Sequence, residues 1–182
     1  MGCLTSATLL DDGRTYRPHR PVALRAETEV VAELGGDIAA ASTDREVRQA
    51  VTGVAVGLEI VDVGRPPDGV AGIVAGNVFH RAVAIGSRRA LPGAALGRAT
   101  MTVGDHVHDA DEQPPDLVAV VRDIAWLLEA CDERLAAGDR ILTGSVVHVE
   151  VAPGDRLTAA IEGLGEVSVR IAPSESFRGT GF

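Results

Sequence analysis

The chain has 182 residues and a formal net charge of -9 at pH 7, and this length supports one substantial hydrophobic core. The acidic balance argues against nucleic acid or an anionic membrane as a partner, because both reward clustered positive charge. No charged leader precedes an apolar run and no stretch of about eighteen apolar residues occurs, so we expect a cytoplasmic protein rather than a secreted or membrane-spanning one.

The first predicted element is an N-terminal hairpin or extended arm. Asp11–Gly13 has the composition of a turn, and Pro18 and Pro21 oppose a helix in this part of the chain. Residues 22–34 follow as a predicted strand.

A helix is predicted between this strand and the next one. Thr43 and Glu46 have the spacing of a capping box, in which each residue bonds the backbone of the other at a helix N-terminus. Apolar residues at positions 47, 50, 51 and 54 follow at helical spacing and predict a helix of about three turns. The chain then enters the apolar run 57–61, which we interpret as a strand.

Three glutamates are the candidate metal ligands. Glu27 and Glu29 lie two residues apart, and side chains two residues apart share one face of a strand. Glu59 lies inside the apolar run 57–61, which favours a buried position. Three inward carboxylates need a cation, and without an accompanying histidine or thiolate they favour Mg²⁺ or Mn²⁺ over Zn²⁺. The alternative places Glu27 and Glu29 on the solvent face of an edge strand.

The segment Gly64–Gly76 is predicted to be a loop, because it is rich in proline, glycine and aspartate. Its place after a candidate ligand strand makes it a plausible lid or a simple connection. Strands are predicted around Val78–Gly86 and Ala99–Val103. His106 and His108 lie in the polar stretch that follows, and if it is extended they share a face and form a conceivable second metal site.

The clearest helix is predicted to begin after Asp116 and to end at Gly138. Trp126 and Cys131 are interpreted as helix packing. The predicted buried face consists of apolar residues at helical spacing, namely Leu117, Val120, Val121, Ile124, Leu127, Leu128, Cys131 and Leu135. Strands and turns are predicted from Arg140 onward, at 141–143, 146–151, 157–161 and 167–171. The whole pattern predicts one α+β domain, residues 1–182, with a strongly curved mixed sheet and two or three helices.

Short segments spread in order over nearly the whole chain carry a family resemblance. They are Gly2–Thr5, Asp12–Gly13, Arg25–Glu29, Leu58–Asp62, Gly76–Asn77, Ala125–Leu127, Ala137–Asp139, Leu142–Ser145, Pro153–Asp155 and Gly163–Gly165. Together they resemble the 2-keto-4-pentenoate hydratase and 4-oxalocrotonate decarboxylase family, a branch of the fumarylacetoacetate hydrolase superfamily. The resemblance implies a β-roll or incomplete barrel, and it implies that Glu27, Glu29 and Glu59 bind magnesium or manganese.

Three departures from the family pattern accompany this resemblance. The family's N-terminal cap, whose lysine helps line the active site, has no counterpart in the chain, so we expect the C-terminal catalytic domain alone. Glu33 adds a fourth acid to the ligand face, where the family has a small apolar residue. The segment Ala75–Phe79 keeps the family's asparagine, as Asn77, and loses the neighbouring acid.

The expected activity is that of a metal-dependent lyase, a hydratase or decarboxylase. It acts on an enolisable 2-oxo acid or 1,3-dicarbonyl through a metal-stabilised enolate. Asp62 and His80 are the catalytic candidates, although Asp62 could be a hydrogen-bonded structural acid, and His80 and His148 could be core or rim residues. The candidate substrate-binding residues are Asn77, Thr143, Ser145 and Arg65, with Arg81 as a further anion contact.

Two other functions are open, one enzymatic and one in which the domain serves only for assembly. The chain could be a repurposed cyclase or isomerase of a biosynthetic pathway, acting on a larger substrate and not necessarily with a metal. It could also be a non-enzymatic subunit, but buried carboxylates without an ion are costly, and this argues against that reading. Uncovered apolar strand surface and the family resemblance predict a homo-oligomer.

Overall fold

The computed structural model describes residues 2–18, 23–64, 69–93, 95–110 and 113–173. Arg65, Pro21 and the first residue of the predicted strand 22–34 lie outside these ranges. The described residues form eleven β-strands and three α-helices, with the strands arranged in two mixed sheets. None of these helices has the length and apolar character needed to cross a membrane.

The first sheet has six strands and places two long antiparallel strands at its centre. Its order is β1 (Leu9–Leu10), β5 (His80–Ile85), β4 (Val51–Asp62), β3 (Leu24–Leu34) and β8 (Arg140–Leu142), with β9 (Val147–Glu150) also pairing with β3. Because β3 and β4 pair along the whole of β3, residues that share a face of β3 have neighbours on the same face of β4.

The second sheet packs against one face of the first. Its order is β2 (Thr15–Tyr16), β11 (Gly165–Ile171), β10 (Arg156–Ile161), β6 (Ala99–Val103) and β7 (His106–Asp109). Val30 of β3 and Leu157 of β10 belong to the aliphatic core, and the Thr28 hydroxyl donates to the Thr100 carbonyl at 3.0 Å. Since side chains alternate along a strand, Glu27 and Glu29 lie on the opposite face of β3.

The two sheets do not close into a barrel over the described residues. The predicted α+β class, with a curved mixed sheet and two or three helices, is therefore confirmed. A core of valine, leucine, isoleucine and alanine is consistent with the low aromatic content, since only 3% of the residues are aromatic.

The N-terminal segment joins the two sheets and does not form a hairpin with itself. β1 pairs in parallel with β5 of the first sheet, and β2 pairs in parallel with β11 of the second. Asp12, in the predicted turn between them, accepts hydrogen bonds from the backbone and side chain of Ser168. The hairpin alternative was wrong because the strong pairing partners of these residues are distant in sequence.

Helix α1 (Asp44–Ala50) is shorter than predicted, although its capping box is confirmed. The Thr43 hydroxyl accepts from the Glu46 amide, and the Glu46 carboxylate accepts from the Thr43 amide at 2.7 Å. The predicted continuation to residue 54 is wrong, because Val51 already belongs to β4 and pairs with Leu34. Valine suits a strand better than a helix, so Val51 and Val54 belong to β4 of the first sheet.

Replacing Thr43 by alanine should lower the free energy of unfolding by about 1 kcal/mol, because it removes the N-cap acceptor of α1. Urea denaturation of the purified protein measures this difference. Gln49→Ala, an exposed change within the same helix, should stay within about 0.5 kcal/mol of the wild type. Equal losses in the two variants would contradict a specific contribution from the cap.

The segment predicted to be a loop contains a helix, and the polar stretch with the two histidines is extended. Within Gly64–Gly76, residues Gly69–Ala75 form helix α2, which has no buried residue. The loop interpretation gave the glycines too much weight, because Val70 to Ala75 otherwise lacks polar and proline residues that oppose a helix. His106 and His108 lie in β7, an edge strand that pairs with β6 and has all four residues exposed.

Helix α3 (Leu117–Glu129) begins where predicted, since the Asp116 carboxylate accepts from the Val118 amide. It ends well before Gly138, because Asp132 turns the chain with a φ of 59°. The packing interpretation of Trp126 and Cys131 is wrong: Trp126 is 63% exposed, and Cys131 is also exposed. Leu127 is exposed as well, whereas the helix buries Leu117, Val118, Val121 and Ala125.

Candidate metal centre

Three glutamates from the two central strands meet on the face of the first sheet that points away from the core. Glu27 of β3 lies directly opposite Glu59 of β4 in the strand register, and Glu29 follows two residues along β3. Carboxylate oxygens of the three residues all lie within 4.8 Å of one another. The local alternation of the strand and one cross-strand pair are therefore enough to assemble the cluster.

These carboxylates are removed from water to a large extent. Glu29 is 3% exposed, and the side chains of Glu27 and Glu59 are 14% and 13% exposed. The solvent-facing alternative for Glu27 and Glu29 does not hold in this structure.

Crowding and burial change the acidity of the cluster. Burial, with the nearby charge of Glu59 as the second cause, raises the pKa of Glu27 to about 7. The same two causes raise the pKa of Glu29 to about 9, against a smaller opposing effect of the Gly144 amide. Without a cation, the cluster therefore keeps protons at neutral pH. A divalent ion would supply the positive charge that now comes from those protons.

The connection between β8 and β9 covers Glu29. The Gly144 amide donates to Glu29 Oε2 at 3.1 Å, and Gly144 has a φ of 100°, a conformation that favours glycine. On either side, the Thr143 hydroxyl donates to the Val30 carbonyl and the Ser145 hydroxyl donates to the Val147 carbonyl, both at 3.1 Å. The two predicted substrate-binding residues thus flank the glycine that contacts Glu29, and their hydroxyls bond backbone carbonyls.

His80 supports Glu59 from the side of β5. It is 6% exposed, with Nδ1 at 2.5 Å from Glu59 Oε1 and Nε2 at 2.8 Å from the Thr8 hydroxyl. Thr8 had no sequence signal, because its role depends on the docking of the N-terminal segment against β5.

His148 of β9 flanks the cluster on its other side. It lies directly opposite Glu27 in the β3–β9 register, and its Nε2 is 3.6 Å from Glu27 Oε1. Partial burial, and to a smaller extent the charge of Arg25, lower the pKa of the His148 imidazole. The sequence interpretation treated this histidine as a core or rim residue and did not connect it to the glutamates.

Asp62 lies at the end of β4 and is 5% exposed. Its carboxylate accepts from the Gly64 amide at 3.1 Å and lies 3.6 Å from an Arg81 guanidinium nitrogen. These contacts match the structural alternative given for this residue. The predicted anion contact Arg65 lies outside the described residues.

Asn77 is engaged with the N-terminal segment. Its side-chain oxygen accepts from the Cys3 amide at 2.7 Å, and its side-chain nitrogen donates to the Cys3 carbonyl at 2.8 Å. Gly2 approaches so closely that a Cβ there would lie 2.7 Å from Asn77 Oδ1. The asparagine thus fixes the start of the chain over the segment that precedes β5.

Two further acidic or histidine groups lie apart from the cluster. Glu33 shares the face of Glu29 but pairs with Arg88, with Nε 3.2 Å from its carboxylate. His106 and His108 lie on the second sheet, and the only group of potential metal ligands within the described residues is Glu27, Glu29 and Glu59.

Comparison with known proteins identifies the family. The model of the fumarylacetoacetate hydrolase C-terminal region matches residues 3–172. The chain belongs to this family. No curated protein matches the chain significantly.

Solved structures of the fumarylacetoacetate hydrolase fold are similar over most of the chain. 4-Oxalocrotonate decarboxylase from Pseudomonas putida G7, complexed with magnesium and adipate, has a TM-score of 0.82 at 23% identity, covering 93% of this chain and 68% of that one. Fumarylpyruvate hydrolase from Pseudomonas aeruginosa, in complex with Mn²⁺ and pyruvate, has a TM-score of 0.69 at 21% identity, covering 91% of this chain and 75% of that one. 2-Hydroxyhepta-2,4-diene-1,7-dioate isomerase from Mycobacterium marinum has a TM-score of 0.70 at 17% identity, covering 93% of this chain and 67% of that one.

Proposed function

We propose that this protein is a metal-dependent enzyme that enolises a 2-oxo acid or a 1,3-dicarbonyl compound. The observation that carries the proposal is the buried cluster of Glu27, Glu29 and Glu59 in a chain of this family. Related structures were obtained with magnesium, calcium or manganese, which supports a divalent cation as the cofactor.

The donor set fits a hard divalent cation, because three carboxylate oxygens converge and burial opposes the ionisation of Glu27 and Glu29. Mg²⁺ and Mn²⁺ are the proposed ions. Bound there, either would act as a Lewis acid that polarises a substrate carbonyl. Glu27, Glu29 and Glu59 hold the ion in this proposal, and His80, fixed by Thr8, orients the carboxylate of Glu59.

The remaining candidates take supporting roles in this proposal. Thr143 and Ser145 flank Gly144, whose amide contacts Glu29, and their hydroxyls can exchange their backbone acceptors for a substrate carboxylate. Asp62 is held by Gly64 and Arg81. As a base, it would take a proton from the substrate while it keeps those two contacts. Hydration or decarboxylation of a 2-oxo acid is the reaction we favour, with Asn77 and Arg65 as further substrate contacts.

A second candidate, a cyclase or isomerase for a larger substrate, is supported by a cavity of about 280 Å³. Val31, Glu33, Ile85 and Arg88 contribute to its lining. The three glutamates of the cluster do not. Val31 lies two residues beyond Glu29 on the same face of β3, about 7 Å along the strand. A substrate anchored at the glutamates could therefore extend a chain into this cavity.

The proposal predicts exchange of the α-proton of a 2-oxo acid, such as pyruvate, with solvent deuterium. This exchange should need Mg²⁺ or Mn²⁺ and should fall about a hundredfold in Glu59→Gln, as expected when a group that stabilises a developing oxyanion is lost. Proton NMR in deuterium oxide, with and without chelator, measures it.

The matched control is Glu166→Gln, the same chemical change at an exposed position on β11 of the second sheet. It should exchange at the rate of the wild type. Exchange by the wild type that is indifferent to chelator would overturn the metal-dependent function and favour the cyclase or isomerase without a metal.

A further inference from the structure

We propose that His148 is a fourth ligand of the cation held by Glu27, Glu29 and Glu59, so that the site combines three carboxylates with one imidazole nitrogen. The inference rests on the proposed function and adds the class of metal that the site prefers.

The strand register places His148 beside the glutamates. His148 of β9, Glu27 of β3 and Glu59 of β4 form one row across three neighbouring strands, and opposite residues in such a row point to the same face. The histidine is thus placed at the cluster by the same pairing that brings the glutamates together.

The distance between His148 Nε2 and Glu27 Oε1 is compatible with two ligands of one ion. Two donors about 2.1 Å from one ion lie about 3 Å apart at a right angle and about 4.2 Å apart on opposite sides. His148 Nε2 and Glu27 Oε1 are 3.6 Å apart, which lies within this range. Among the described residues only the three glutamates have donor atoms that all lie within 4.8 Å of one another, so the imidazole must turn toward Glu59 to share their ion.

The surroundings of His148 permit this turn. Its side chain is 40% exposed, and β9 is paired with β3 alone among the described strands. His80 is different, because its side chain is 4% exposed and both ring nitrogens already have partners in Glu59 and Thr8. Of the two histidines beside the cluster, His148 is the one with a nitrogen available to an ion.

A nitrogen ligand changes the order of metal preference. Three carboxylates alone suit Mg²⁺, Ca²⁺ and Mn²⁺, whereas an imidazole favours Co²⁺ and Zn²⁺. We expect His148→Ala to weaken Co²⁺ binding about tenfold or more, the size of effect seen when a residue that supports a metal site is lost. Mg²⁺ binding should change by no more than about twofold, since Mg²⁺ gains little from nitrogen.

Competition titrations with a metal indicator measure both affinities in the wild type, His148→Ala and His148→Gln. His108→Ala, an exposed histidine of β7 on the second sheet, is the matched control and should bind both ions as the wild type does. Equal losses for Co²⁺ and Mg²⁺, or no loss for Co²⁺, would overturn the fourth-ligand role.

Pulsed electron paramagnetic resonance of bound Mn²⁺ provides a readout that is independent of affinity and activity. We expect modulation from a directly coordinated nitrogen in the wild type, its loss in His148→Ala, and its retention in His80→Gln. Bound Mn²⁺ without nitrogen coupling in the wild type would overturn the role of His148 but leave the proposed function standing. Nitrogen coupling that is lost in His80→Gln and kept in His148→Ala would also overturn the role of His148 as a ligand. Failure of the wild type to bind Mn²⁺ at all would overturn both proposals.

Discussion

Glu29→Gln is expected to abolish the stabilisation that Mg²⁺ or Mn²⁺ gives the wild-type protein. At a metal concentration one hundred times the dissociation constant, binding should raise the wild-type free energy of unfolding by about 2.7 kcal/mol. Glu29 is the most buried of the three acids, at 3% exposure, and its replacement leaves two carboxylates that cannot offset the desolvation of the ion. Thermal or urea denaturation with and without metal measures the change.

Without metal, the same variant should be about as stable as the wild type at pH 7. The pKa of Glu29 is about 9, so the wild-type side chain is already mostly neutral, and glutamine is neutral with a similar shape. Glu33→Gln is the control, because Glu33 shares the strand and face of Glu29 but pairs with Arg88 outside the cluster. A full metal response in Glu29→Gln, or its loss in Glu33→Gln, would contradict the assignment of ligands.

Metal affinity should rise steeply with pH, because protons and the cation compete for the same carboxylates. From pH 7 to pH 9 Glu27 loses the rest of its proton while Glu29 still holds one, since their pKa values are about 7 and about 9. Affinity for Mg²⁺ should therefore increase about tenfold per pH unit over this range, and more steeply below pH 7. Calorimetric titration in buffers of different ionisation enthalpy also counts the protons released. Affinity that does not change from pH 7 to pH 9 would contradict this mechanism.

The metal-free protein should show the opposite trend in its stability. The pKa of an unfolded glutamate is near 4.5, so the folded protein holds extra protons up to pH 7 for Glu27 and pH 9 for Glu29. Their stabilising effect is complete below pH 4.5 and is lost as pH rises through 7 and then 9. The difference in unfolding free energy between the wild type and a Glu27→Gln, Glu29→Gln double variant should therefore become less favourable to the wild type across this window.

The glutamate cluster could be predicted from the sequence because it depends on short-range rules. Alternation within one strand places Glu27 and Glu29 on a common face, and the apolar run around Glu59 indicates a buried strand. Only one cross-strand pair, Glu27 opposite Glu59, remained to be supplied by the fold. The capping box of α1 was predictable for the same reason, since Thr43 and Glu46 contact each other directly.

The surroundings of the cluster could not be predicted in this way. Thr8 and His80 meet across 72 residues of sequence, and His148 reaches Glu27 only through the pairing of β9 with β3. The end of α1 was also misjudged, because Val51 fits helical spacing but gains more from pairing in β4. Each of these outcomes depends on which distant strands pair.

Anomalous X-ray scattering from crystals grown with Mn²⁺ would test the central claim most directly. We predict one strong peak per chain, bounded by the carboxylates of Glu27, Glu29 and Glu59, and no such peak in crystals of Glu29→Gln grown in the same way. A Mn²⁺ peak located elsewhere in the chain, or no peak at these three glutamates in the wild type at millimolar Mn²⁺, would contradict the account.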